Sequence, residues 1–217
     1  MWTGISLNAH AGDALYMLHA GSYMPQERLA GVESYRSLRY RGVIGQTTWY
    51  TCGPAALATL LTEYYATPAT EAEMLTLAWE SMERSGADAE AGITMLALKE
   101  ALLIKGHDSM GYKVSVAQLV DYFTQGGLPL VLHVTTPQPH YVVGIGMAGN
   151  DLIVADPAFG RYLISPADFA VQKGFQGNIL VPLPGAEDIP SVRRNQQATM
   201  DDANARAGQF AYLRERW

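Results

Sequence analysis

GQTTWYTCGPAALATLL, residues 45–61, contains the only cysteine of the chain, Cys52, with Gln46 six residues before it and an apolar run after it. Pro54 is tolerated in the first turn of a helix, where its missing N–H costs nothing, so a helix is expected to open at Cys52. Leu57, Leu60, Leu61 and Tyr64 recur at helical spacing and carry it to about Tyr65. A thiol at a helix start faces unpaired backbone N–H groups and the positive end of the helix dipole, a setting that favours the nucleophilic thiolate. Gly53 offers no side chain to obstruct the sulfur, and the Gln46 amide is placed to donate to an oxyanion. The bland alternative is a buried core cysteine, the ordinary condition of a lone free thiol. The stretch by itself leaves both readings open.

Outward from this helix, Met1–Tyr40 shows no clear period and reads as an extended arm, with ESYRSLRYRGVIGQ leading a short strand into the cysteine segment. On the other side TPAT (67–70) breaks the helix. Thr70 with Glu73 forms a capping-box signature that opens a second helix through about Met82. Ser85–Gly92 is a polar loop, and Ile93–Lys105 forms a third helix that stops at Gly106. A second box, Ser115 with Gln118, starts a short helix ending at Gly126-Gly127. The period then changes. LPLVLHVTT (128–136), HYVVGIGM (140–147) and DLIVADP (151–157) are β-rich runs, and AGN between the last two is a hairpin signal. Gly160–Ile164 and GNILVPL (177–183) add strands around a small helix capped by Ser165. Helices first and strands afterwards indicate an α+β domain, with helices packed on an antiparallel sheet. After Pro184 the composition turns polar and reads as a linker with a weakly amphipathic helix outside the core.

Composition narrows the function classes. At 217 residues, with 48% hydrophobic and 17% charged residues, the chain suits one well-cored domain with an extension, or two small ones. A formal net charge of −6 and the absence of a Lys/Arg cluster argue against a nucleic-acid partner. No apolar run reaches the length of a membrane span. One cysteine excludes an intramolecular disulfide and leaves the compartment open. The N-terminus lacks a basic start followed by an apolar block, so no signal peptide is expected in the chain as it stands.

A cysteine nucleophile needs a base, and the base needs an orienting group. Of five histidines, His10, His19 and His107 read as solvated or packing residues, and His133, inside an apolar strand, reads as a satisfied core histidine. His140 differs because it opens a strand just after PQP, where folding does not require a histidine. Asp156, at the end of LIVADP, is either a turn-forming Asp-Pro residue or the orienting carboxylate. Hairpin parity decides. With a three-residue loop over Ala148–Asn150, Val142 faces Asp156 and His140 lies within diagonal reach on the same face. A two-residue loop would send the two side chains to opposite faces.

GQTTWYTCGPAALATLL, HYVVGIGM and VADPAFGRYLIS together resemble the C39-like peptidases of the papain-like superfamily, over about Ser37–Leu183. The resemblance implies a papain-like fold and four site residues: Cys52 as nucleophile, His140 as general base and acid, Asp156 as its orienter, and Gln46 in the oxyanion hole. It implies no cofactor and no metal. With the period and composition read above, it divides the chain into an N-terminal arm over 1–36, a peptidase domain over 37–184 and a C-terminal linker and helical tail over 185–217. Relatives in bacterial transporters cut leader peptides after a double glycine, whereas nothing here encodes membrane spans or an ATPase. A stand-alone chain with a long arm is similar to exported C39-like proteins of Gram-negative bacteria, including those of functional-amyloid export. That likeness implies a peptide or protein substrate, export-system components as partners, and a periplasmic site of action after removal of a signal peptide. The alternatives are a cytoplasmic location, and a docking module that binds an export substrate with little or no turnover.

Overall fold

Residues 34–87 and 92–214 are described by a computed structural model, apart from the side chains of Tyr35 and of 207–214. The expected arm, the polar loop over Ser85–Gly92 and the aromatic C-terminal end fall wholly or partly outside the described residues. The first described element is a helix, α1 (Tyr35–Arg39), where a strand is expected. Ser34 accounts for the difference, because its hydroxyl accepts from the Ser37 N–H and caps a helical turn. The helix α2 (Cys52–Thr59) opens at the cysteine as expected, and a single π-helical segment, Leu60–Tyr64, continues it.

Three further helices follow, two of them at the caps read from the sequence and one at a Thr94 cap that the expected start at Ile93 overlooks. Thr70 caps α3 (Glu71–Ser85), with Gly86 in the left-handed region at its end; Thr94 caps α4 (Met95–Ile104); and Ser115 with Gln118 makes a complete capping box on α5 (Val116–Thr124). Strands β2 (Leu130–Val134), β3 (His140–Ala148), β4 (Asp151–Asp156), β5 (Gly160–Ile164) and β6 (Asn178–Pro182) fall on the expected runs. The small helix α6 (Pro166–Gln172) carries the expected Ser165 cap. One strand is unanticipated: β1 (Ser109–Lys113), which among the described residues is an edge strand paired with β6 alone.

Among the described residues the strands form one antiparallel sheet in the order β1-β6-β2-β3-β4-β5. Both of its faces are covered. Val131, Val143, Ile145, Ile153 and Ala155 share one core cluster with α2, the π-helical segment, α3 and α4, in which Leu57, Leu61, Met74 and Leu98 are completely buried. Leu132, Val134, Val142, Leu152 and Val154 pack on the other side against Leu119 and Phe123 of α5 and Phe169 of α6. Each fully buried Leu or Val contributes about 1.5–3 kcal/mol, and α2, all eight of whose residues are buried, is held from every side. The last helix, α7 (Ile189–Arg214), departs from expectation. It is part of the core: Val192 and Ala203 lie in the same cluster as α2, and Gln196 is buried.

Candidate active site

Cys52 is the first residue of α2 and is 6% exposed, within the core cluster but at its surface. Thr51 precedes it as N-cap, yet its hydroxyl turns back to donate to Thr48 O rather than capping the helix. The first N–H groups of α2 therefore have no side-chain cap, and Pro54 contributes none. Gly53 has a different physical reason from the one expected. A Cβ there would lie 3.0 Å from Leu98 Cδ2 and 3.2 Å from Tyr141 Cδ2, so the glycine lets α2 settle against α4 and β3 beside the sulfur.

The β3–β4 hairpin brings His140 and Asp156 together by a route other than the expected one. Ala148 pairs with Asp151, which leaves a two-residue turn at Gly149-Asn150, the loop length that by itself separates the two side chains. The register then slips by one residue, since Gly146 faces Ile153 whereas Gly144 faces Val154, with Ile145 extra between them. This β-bulge restores the parity, so continuing the Val143–Ala155 pairing sets Val142 across from Asp156. His140 Nε2 stands 2.8 Å from Asp156 Oδ1. The Cys52 sulfur lies close enough to the same ring to act on its charge.

Asp156 makes contacts of both kinds, to the turn that follows it and to His140. Its Oδ1 accepts from the Ala158 N–H at 2.8 Å and the Phe159 N–H at 3.3 Å, which shapes the turn, and also from His140. With the Tyr162 hydroxyl 3.5 Å from Oδ2, a carboxylate that is only 1% exposed is compensated on several sides. Burial works against charging His140, but the hydrogen bond and charge of Asp156, with a further contribution from the neighbouring Cys52 sulfur, outweigh it. Together they lift the imidazole from its ordinary 6.5 to about 9. Tyr162 is driven well above the usual phenol range by burial and by the Asp156 carboxylate. Nothing in the sequence alone singles out Tyr162, although its place two residues into β5 puts it across from β4.

Gln46 sits in the loop that leads into α2. Its backbone N–H donates to Pro157 O at 3.0 Å, and the Tyr40 hydroxyl donates to Ala158 O at 2.6 Å, so this loop is tied to the turn that carries Asp156. The Gln46 side chain donates one Nε2 hydrogen to Thr48 O at 2.8 Å, which leaves the second free. Its Oε1 is buried without a partner. The remaining described histidines lie apart from the thiol. His107 bonds Thr67 Oγ1 at 2.8 Å, and His133 stacks on Tyr141 with ring centroids 4.9 Å apart. Burial and the neighbouring His140 charge hold His133 below its ordinary value. His10 and His19 lie outside the described residues. Among the described residues no group of His, Cys, Asp and Glu side chains is arranged to hold a metal ion, and no helix is long and apolar enough to cross a membrane.

A family model described as the peptidase C39 family matches residues 41–187, a span that contains all four of these positions. The probable functional amyloid protease FapD of Pseudomonas aeruginosa is 32% identical over 151 residues, a match covering 67% of this chain and 62% of that protein. The crystal structure of the peptidase domain of Streptococcus ComA, a bi-functional ABC transporter, superposes with a TM-score of 0.55 at 25% identity. It covers 66% of this chain and 98% of that domain. A double glycine motif protease from an AMS/PCAT transporter, solved in complex with the leader peptide, gives a TM-score of 0.51 at 25% identity over 66% of this chain and 91% of that one.

Proposed function

This chain belongs to the peptidase C39 family and is a cysteine peptidase, and on that footing we propose that it is an endopeptidase cutting an exported protein or leader after a pair of small residues such as Gly-Gly. The observation that carries this reading is the hairpin-held His140–Asp156 pair with the Cys52 thiol in reach of the same ring. In the proposed cycle Cys52 Sγ attacks the peptide carbonyl carbon and its proton resides on His140. The developing oxyanion takes hydrogen bonds from the Cys52 N–H and from the free Nε2 hydrogen of Gln46. The C–N bond breaks as His140 gives its proton to the leaving amine. Water, deprotonated by His140, then hydrolyses the thioester and restores the thiol. Asp156 orients the ring throughout and stabilises its charged form.

The likeness to FapD, a probable functional amyloid protease, supports a role linked to functional amyloid; the periplasm as its location and export components as its partners are part of the proposal. The likeness to a double glycine motif protease solved with its leader peptide supports the double-glycine preference. A leader peptide ending in Gly-Gly tests this. Cleavage is expected after the second glycine, and replacing that glycine by leucine should lower kcat/KM by roughly a hundredfold or more. Efficient cutting of the leucine peptide, or of unrelated unfolded proteins, would mark a general degradative peptidase.

A pH profile tests the roles of His140 and Asp156. The folded value of about 9 lies above the ordinary 6.5 of an imidazole, so the charged ring is favoured at lower pH and lost as pH rises through about 9. Activity that needs the imidazolium as acid should therefore fall on that basic limb. Asp156→Asn keeps an acceptor but removes the charge, so it should retain part of the activity. Its limb should move down by about one to three pH units. An unmoved limb would mean that Asp156 does not set the histidine's charge.

A further inference from the structure

The bulge that aligns His140 with Asp156 is held from outside the hairpin. Ile145, the extra residue, has no partner on β4, yet it is fully buried, so its carbonyl needs a donor from elsewhere. Gln196 of α7 supplies it, donating one Nε2 hydrogen to Ile145 O at 2.6 Å and the other to Gly127 O at 2.7 Å. The glutamine is 5% exposed, and both of its donor hydrogens are spent on carbonyls of the sheet region. Strand and helix touch at this point: a Cβ on Gly146 would lie 2.6 Å from Met200 Sδ and 3.6 Å from Gln196 Nε2.

The helix itself is fixed at several places. Asn195 donates to Tyr64 O at 3.1 Å, Arg193 donates to Gly126 O at 2.9 Å, and Asp202 pairs with Arg161 of β5. If the bulge were ironed out while the two-residue turn stayed, Val143 rather than Val142 would face Asp156, and His140 would move to the opposite face. The donor that stabilises the bulged register thus sits on a helix, Ile189–Arg214, that begins beyond the family match at 41–187.

We propose that Gln196 is a positioning residue for the active site, holding the Ile145 bulge in the register that keeps His140 against Asp156 and towards Cys52. This rests on reading those three residues as the peptidase machinery. Gln196→Met keeps the length and removes both donors, whereas Gln196→Asn keeps the donors but draws them back by one methylene. Arg193→Ala is the control, since it removes a like contact of α7 with a carbonyl away from the bulge. The readouts are melting temperature, kcat and KM on the Gly-Gly leader peptide, and the rate of Cys52 alkylation by iodoacetamide at mildly acidic pH. The alkylation rate reports the Cys52–His140 pair whatever the natural substrate is.

Both Gln196 variants are expected to slow alkylation and kcat by about tenfold or more, with KM little changed, and to lower the basic limb of the pH profile. Arg193→Ala should lower the melting temperature and leave these readouts alone. Should Gln196→Met fail to fold, Gln196→Asn carries the same comparison. Folded Gln196 variants with wild-type alkylation, kcat and pH limb would overturn the inference. Slowed alkylation in a protein whose wild type shows no Cys52-dependent cleavage would uphold the positioning role while removing the peptidase cycle proposed above.

Discussion

Cys52→Ala is expected to abolish cleavage while leaving the fold intact. The chain has one cysteine, so no second thiol can take over the attack on the carbonyl. The substitution removes a single sulfur from the first residue of α2, at the surface edge of the core, and puts a good helix former in its place. The stability change should therefore stay within about 1 kcal/mol, far from the cost of emptying a core site. Circular dichroism and a thermal melt check the fold, and mass spectrometry of the peptide checks for product. Wild-type cleavage by the folded variant would rule out nucleophilic catalysis by Cys52.

His140→Ala is expected to be nearly as damaging, with a loss of roughly 10²–10⁴ in kcat. Two functions disappear together: the base that draws the proton from sulfur, and the acid that protonates the leaving amine. The fold should survive, because Asp156 keeps the Ala158 and Phe159 N–H groups and the nearby Tyr162 hydroxyl after losing the ring. Leaving that carboxylate one donor short costs about 1–3 kcal/mol. Alkylation of Cys52 at mildly acidic pH should slow in parallel with kcat, since one imidazole serves both. Unchanged kcat in the folded variant would remove His140 from the mechanism.

Much of this arrangement is legible in the chain because its signals are local. Thr70, Ser115 and Ser165 each cap the helix that their spacing announces, and the apolar runs of β2, β3 and β4 need only the period change to be seen. Strand β1 escapes such a reading for a physical reason. Past Ser109 its residues are exposed, so SMGYK shows neither alternation nor an apolar run, and pairing with the distant β6 makes it a strand.

The His140–Asp156 pair shows where local reading stops. Parity arguments identify the right partners but require an odd loop, and the chain instead uses a two-residue turn with a one-residue bulge. Gly144 and Gly146 flank that bulge, and isolated glycines in a strand are the signal from which it could have been suspected. The tail was harder still. Polar composition places α7 outside the core, because only a few of its residues, Val192, Gln196 and Ala203 among them, are buried. No sequence rule states that a glutamine more than fifty residues away will find the carbonyl a bulge leaves open.

The covalent step is the centre of this account, and trapping it is the most direct test. Wild-type protein mixed briefly with a leader peptide ending in Gly-Gly at the cut, quenched in acid and weighed intact, should carry the leader as a thioester. Fragmentation should place the added mass on Cys52, and Cys52→Ala should show none. Turnover of the peptide with no adduct under any quench time, or an adduct on another residue, would contradict Cys52 as the nucleophile.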